Sequence, residues 1–343
     1  MVDGHLSAPR NLPPCSVVQG GVGSGILYLC FTVDLPDVTH EHTVDFKDPV
    51  VHCKDDGDMV TFVDNATHSY ADKDGEKVTE VISSKYKLIE KYMNENKLVI
   101  NGDKSHLVVL NKKAQINEAA KVVLKAGNHT IEKSEYEKLL GATIDGTGGW
   151  KLMIRDGENS VIKQVTTRLN GLKKIAQNSD FMTRLTVANG IVQSKLQYLM
   201  PLWLGAPDYL LNCLQVQQLK AARVVCGYKS YYWSTAKLLN TCGWLSIKQQ
   251  MVATTAIMTH KIIKTGVKRN IYATLITDFP YQTRQAANGD IRVGGNENHR
   301  NSKSFKNNAR IIYNQIPANI RLKEITVFKK KIKEWAKNNV TIK

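Results

Sequence analysis

Along the chain, apolar positions first alternate in short runs and later fall into helical stripes. Val60-Thr61-Phe62-Val63 is a β-prone run, Asp64-Asn65 is a turn pair, and Thr67-His68-Ser69-Tyr70 reads as a returning strand. Residues 76–96 then place Val78, Val81, Ile82, Tyr86, Ile89 and Met93 on one helical stripe. Lys97 to Ile100 and His106 to Leu110 read as two more short strands around Asn101-Gly102-Asp103-Lys104. The order strand–turn–strand, helix, strand–turn–strand predicts a small α+β unit.

Beyond Gly149 the period changes. Val161, Ile162, Val165, Leu169, Leu172 and Ile175 mark an amphipathic helix, with Lys163, Arg168, Lys173 and Lys174 among its polar positions. Helical patterns continue through 183–199, through 208–226 to a stop at Gly227, and through 246–265 to a stop at Gly266. Residues 267–308 read as loop-rich and basic. A last helix near 326–337 carries Val327, Phe328, Ile332 and Trp335, with Lys329, Lys330, Lys331 and Lys333 beside them.

Length and composition narrow the class. The 343 residues suffice for about two domains, and 42% hydrophobic with 23% charged residues is a globular balance. The longest apolar run, Gly25 to Val33, is about half of what a bilayer crossing needs, so no membrane partner is expected. The N-terminus lacks the arrangement of a signal peptide. Six cysteines without C-x-x-C spacing read as reduced thiols of an intracellular protein, cytoplasmic or nuclear.

Charge divides the chain more sharply than its total of +16 suggests. Residues 1–150 hold 16 Lys/Arg against 22 Asp/Glu, a net of −6, whereas residues 151–343 hold 31 against 9, a net of +22. Such a split points to a polyanion partner for the second half, RNA or DNA before membrane. The plainer reading is a solvated basic surface.

Candidate ligand motifs are fewer than they look. Gln19 to Gly25 (QGGVGSG) has the glycines of a phosphate loop but neither the Lys of the P-loop nor the spacing of the dinucleotide fingerprint. It predicts a loop whose backbone can approach a ligand closely. His40, His42, His52 and Cys53 lack the spacing of structural zinc sites.

Four stretches carry a family resemblance. VVQGGVGSGILYLCFTVDLPDV (17–38) looks like a PQG-S-x-L-G-P-L-L-F block followed by N-D-L-P. FVDN (62–65) falls where an [FY]-[AV]-D-D turn would lie. NKLVINGDKSHLVVL (96–110) is similar to N-K-L-x-L-N-x-x-K-T-x-x-M-x-F, and YEKLLGATID (136–145) to K-Y-L-G-V-x-I-D. In this order they resemble the reverse transcriptase of jockey-like non-LTR retrotransposons, and later segments (LQVQQLKAARVVCGY and IIYNQIPANIRLKEITVFKKKIKEW) resemble its thumb and C-terminal tail.

The resemblance implies an α+β chain: a truncated palm over 1–148 (a short antiparallel sheet plus helices), an all-helical thumb over 149–266, and a basic region with a terminal helix over 267–343. It implies RNA-directed DNA polymerase chemistry on a template–primer, in which two Mg²⁺ ions about 3.5–4 Å apart clamp the attacking and leaving oxygens. Asp64 would be the metal ligand, with Asn65 beside it and Lys104 near the triphosphate. Gln19, Gly20, Gly21 and Phe62 would lie along nucleotide and template. Leu140 and Gly141, with Leu139, would belong to the region holding the primer end. Lys173, Lys174, Lys329, Lys330, Lys331 and Lys333 are the candidate nucleic-acid contacts.

Two departures oppose catalysis. Asn65 stands where the family has a second acid. The family's other essential aspartate lies in an F-D-x-[VI] context upstream of the QG block, where this chain offers only Asp3. The expectation is therefore a polymerase remnant without activity, the alternative being a non-catalytic RNA- or DNA-binding protein that uses the basic half. Residue by residue the plainer readings stay open: Asp64-Asn65 as an ordinary turn, Lys104 as a solvated turn lysine, Trp203, Trp244 and Trp335 as core, and Lys329 to Lys333 as a solvated helix face.

Overall fold

A computed structural model describes residues 32, 35, 58–62, 65–110, 116–126, 129–227, 230–265, 290–291 and 305–340. The architecture is α+β, with two-stranded antiparallel pairs among helices. Two compact units divide the chain: Met1–Glu137 with Asp145–Gly148, and Lys138–Ile144 with Gly149–Lys343.

In the first unit, β1 (Asp58–Phe62) pairs antiparallel with β2 (Asn65–Ser69), in a register running from Asp58↔Ser69 to Phe62↔Asn65. Asn65 thus opens β2 instead of sharing the turn, and Val63 and Asp64 lie outside the described residues. Helix α1 (Gly75–Glu95) starts at Asp74, whose carboxylate accepts from the Glu76 N–H at 2.9 Å. Its predicted stripe is half-buried, with Tyr92 the deepest apolar side chain. The Thr79 hydroxyl donates to the Gly75 carbonyl at 3.0 Å and accepts from the Val123 N–H at 3.1 Å, tying α1 to the segment after α2 (Ile116–Lys121).

Gly75 is where α1 and α2 meet. Its N–H donates to the Glu118 carboxylate at 3.0 Å, and a Cβ there would lie 2.2 Å from the Glu118 carbonyl oxygen. The Gly75→Ala variant is expected to lose about 1–3 kcal/mol of stability through forced separation of the helices, read by urea unfolding.

The predicted strands at 97–100 and 106–110 are not formed. Gly102–Lys104 is one 3₁₀ turn, closed by the Ser105 N–H on the Gly102 carbonyl (3.0 Å) and the Ser105 hydroxyl on the Asn101 carbonyl (2.8 Å). Val99 is 93% and Leu110 63% exposed, and Leu107 makes one isolated parallel bridge to Lys133. Local side-chain bonding at Asn101 and Ser105 outcompetes the ladder. The strands that pair are β3 (Leu124–Ala126) with β4 (His129–Ile131), and β5 (Tyr136–Leu139) with β6 (Ala142–Asp145). The tip of this last hairpin belongs to the second unit.

The rest of the second unit is helical: α3 (Val161–Ala176), α4 (Phe181–Ala188), α5 (Ser194–Gln197), α6 (Asp208–Cys226), α7 (Thr235–Cys242), α8 (Ile247–Thr265), α9 (Phe305–Gln315), α10 (Ala318–Arg321) and α11 (Ile325–Asn339). The helix expected over 183–199 is two helices, α4 and α5, joined by a wider π-type turn at Asn189–Gln193. Val165, Leu169 and Leu172 of α3 pack with Leu214 and Ala221 of α6, Leu196 and the fully buried Trp203 in the main core. Trp244 and Trp335 are partly buried against the two cores, so all three tryptophans have structural roles.

Ser246 and Gln249 form a capping box that starts α8: the Ser246 N–H donates to Gln249 Oε1 at 3.0 Å and the Gln249 N–H to Ser246 Oγ at 3.3 Å. The same Gln249 amide donates to the Lys337 and Val340 carbonyls at 3.1 and 3.0 Å, closing the C-terminus of α11. A second core joins α8, α9 and α11 through Ala256, Tyr313, Phe328 and Ile332. Val327, placed on the apolar stripe by the sequence, is 44% exposed instead.

His260 sits in this second core, fully buried and stacked on Phe328 with ring centroids 3.9 Å apart. Its Nε2 is 3.0 Å from the Lys323 carbonyl, which can only accept, so Nε2 carries the proton. Nδ1 then accepts from the Tyr313 hydroxyl at 3.0 Å. Burial, helped by the Lys264 charge, holds the imidazole pKa below its ordinary 6.5, against the Lys323 carbonyl and Glu324. The unfolded chain therefore binds this proton more tightly than the folded one. The His260 contribution is complete above about pH 6.5 and is lost as pH falls below that value. Thermal unfolding from pH 8 to 5 should show Tm falling below about pH 6.5, with a shallower fall in His260→Gln.

Candidate functional site

The tip of the β5–β6 hairpin gathers the features that point to function. Leu140 (φ 49°) and Gly141 (φ 83°) connect the strands, and two successive positive φ values make a type I′ turn. Glycine occupies this conformation freely, whereas leucine does so at a cost of about 1–2 kcal/mol. What holds it is Tyr198, whose hydroxyl donates to the Leu140 carbonyl at 2.6 Å. The Tyr198 ring lies so close that a Cβ on Gly141 would stand 3.1 Å from Cε1. Tyr198 is followed by Leu199, also left-handed at φ 60°. Two of the three positive-φ non-glycine residues among those described are thus Leu140, held by Tyr198, and the residue that follows Tyr198, a pairing of backbone strain that motivates a functional reading.

Around this turn the charge is positive. Lys138 is the penultimate residue of β5, Arg168 comes from α3, and Lys195 from α5. The Arg168 guanidinium donates to the Ile191 carbonyl at 2.8 Å, which fixes it on the π-type turn. The Lys195 ammonium stands 5.7 Å from the Tyr198 ring centroid. Lys195 is half-buried, and its pKa is held below the usual lysine value first by that burial, then by the charges of Arg168 and Lys138. A half-buried lysine in the field of two further cations beside a clamped turn forms a site that an anion would stabilise. Phosphate oxygens, which accept several charge-assisted hydrogen bonds, suit such a group.

The sequence candidates separate as follows. Leu140 and Gly141 are at this tip, both exposed. Lys104 ends the 3₁₀ turn of the first unit and is exposed; Asn65 opens β2, also exposed, and Phe62 ends β1. Gln19, Gly20, Gly21 and Asp64 lie outside the described residues. Lys173 and Lys174 project from the last turn of α3, and Lys329, Lys330, Lys331 and Lys333 from the solvent face of α11, opposite Phe328 and Ile332. Arg168, named among the polar positions of its helix, carried no sign of this role, and neither Tyr198 nor Lys195 stood out in the sequence. Their importance is tertiary, and a lysine three residues before a tyrosine carries no signal alone.

Among the described residues no three His, Cys, Asp or Glu side chains gather as a metal centre requires, and no helix is long and apolar enough to cross a membrane. No family model, curated protein or solved structure matches the chain.

Proposed function

We propose that this chain is part of the reverse transcriptase of a non-LTR retrotransposon, retained as an RNA- and DNA-binding module, with residues 1–148 corresponding to palm, 149–266 to thumb and 267–343 to the basic C-terminal region. The observation that carries the reading is the Lys138–Arg168–Lys195 cluster at the Leu140–Gly141 turn. The segment that resembles the family's primer-end region is also the one beside which the charges of Arg168 and Lys138 act on Lys195. Phosphates of a template–primer would relieve that repulsion and return the Lys195 pKa toward its usual value.

Catalysis is not part of the proposal. Among these 343 residues Asp64 alone matches a carboxylate of the family's site, and Asn65 can offer an amide oxygen but no charge. Mg²⁺ prefers hard, anionic oxygen ligands. These residues by themselves do not supply a two-metal site, and no nucleotide-transfer step is assigned to them.

The test is binding of a labelled RNA–DNA template–primer to the full chain. Lys138→Ala with Lys195→Ala is expected to weaken binding about tenfold and to flatten the salt dependence by about one unit of slope per lost phosphate contact. Unchanged affinity and slope would overturn the assignment of this site. A second reading, binding through α11, is favoured by the exposure of Lys329, Lys330, Lys331 and Lys333 on one helix. Alanine at those four positions separates the two readings in the same assay.

A further inference from the structure

Cys226 and Cys242 end two helices, and their sulfurs are 3.7 Å apart. Each is followed by a glycine in a positive-φ conformation, Gly227 at 78° and Gly243 at 67°, so both helix ends are fixed where the thiols meet. The Gly243 and Trp244 N–H groups donate to the Asn240 and Leu239 carbonyls at 3.1 and 2.8 Å, which closes α7. Cys242 is buried at 5% exposure, whereas Cys226 is half-buried and open to reagents. Beside them lies Arg184. Its guanidinium nitrogens are 3.5 and 3.9 Å from where a Gly227 Cβ would stand, and its buried Nε has no hydrogen-bond partner among the described residues.

We propose that Cys226 and Cys242 are a redox modification site, which a low-molecular-weight disulfide of the glutathione class converts from dithiol to internal disulfide. The Cys226 thiolate attacks one sulfur of that disulfide and the external S–S bond breaks. One thiolate leaves, taking up the Cys226 proton, and a mixed disulfide remains. Cys242 then passes its proton to the second departing thiolate as its sulfur attacks Cys226. In all, the two cysteines lose two electrons and two protons, and one external disulfide becomes two thiols.

Three features support this order of events. Burial raises the Cys226 pKa, and the Cys242 hydrogen bond and the Arg184 charge only partly restore the charged form of this more accessible thiol. Burial opposes it at both positions and pushes Cys242 up to about 12, so the pair persists as dithiol in reducing surroundings and Cys242 acts second. Bonding needs the sulfurs to close from 3.7 Å to about 2.0 Å, within reach of side-chain rotation at two neighbouring helix ends. The product would staple the intervening segment, whose Tyr231 and Tyr232 are 71% and 92% exposed and whose Lys237 stands 4.4 Å from the Trp233 ring centroid. Oxidation would thus set how firmly an exposed aromatic turn is held.

The experiment treats the full folded chain with oxidised glutathione, alkylates the remaining thiols and maps peptides by mass. A Cys226–Cys242 cross-link is expected, reversed by dithiothreitol, with Tm raised by roughly 5 °C. In Cys242→Ser, glutathione should stay on Cys226; Cys226→Ser should form no adduct at Cys242, and Cys213→Ser should behave as wild type. A monosubstituted trivalent arsenical, which bridges paired thiols, should bind one to one and fail to bind Cys226→Ser. Glutathione left on wild-type Cys226 without a cross-link, or no arsenical uptake, overturns the proposal.

Discussion

Phe328→Ala is expected to destabilise the second unit by about 3–5 kcal/mol. The side chain is fully buried and stacks face to face on His260 at 3.9 Å and 4°, with Tyr313 at 6.4 Å. Its removal deletes the transfer free energy of an aromatic ring and leaves a cavity walled by helices from three parts of the chain. The loss extends further, because the ring also holds the imidazole flat between the Tyr313 hydroxyl and the Lys323 carbonyl. Phe328→Leu, which retains most of the volume, should cost less than half as much. Chemical denaturation of the three proteins measures this. Equal stability of Phe328→Ala and wild type would mean that α11 does not pack as described.

The second large effect is expected at Asp290. Its carboxylate is 2.7 Å from Arg321 Nη2, with side-chain exposures of 19% and 8%. Arg321 also lies over the Tyr313 ring at 5.7 Å, so its charge is drawn into the same core. Removing the Asp290 carboxylate withdraws this 2.7 Å contact from a guanidinium at this depth, at up to about 3–5 kcal/mol. Asp290→Ala should therefore approach Phe328→Ala in cost, while the Asp290→Ala, Arg321→Met double variant should recover much of the loss. The neighbouring Ile291 would loosen too: its N–H and carbonyl are both bonded by the Asn314 amide, at 2.8 and 2.7 Å. Additive losses in the double variant would show that the pair is not coupled.

How much of this was legible in the sequence depends on whether the signal was local. The stripe through Val165, Leu169 and Leu172 gave α3, and that through Phe328 and Ile332 gave α11. Gly227 stopped α6 through a positive φ that other residues resist. The hairpin at 58–69 was legible because its alternation and turn residues agree, although Asn65 proved to be strand. The failures are tertiary. The first turn of α9, Phe305 to Asn308, fell in a stretch read as loop and the rest was not assigned as helix, because its buried face includes Asn307 and Arg310, which no apolar period reveals. At 97–110 the β-prone residues were real, but Asn101 and Ser105 bent the chain first. At the candidate site the resemblance marked Leu140 and Gly141. Lys138 apart, the surrounding charge comes from Arg168 and Lys195, 28 and 55 positions downstream of Leu140, which only the fold brings alongside.

Whether the basic second half meets nucleic acid, as proposed, is decided by a single titration. Fluorescence anisotropy of a labelled RNA–DNA template–primer would be followed with the full chain from about 0.05 to 0.2 M potassium chloride. The account predicts binding at low salt that weakens linearly on a log–log plot, with a slope near −0.9 for each phosphate neutralised. No binding at low salt, or an affinity indifferent to salt, would contradict it.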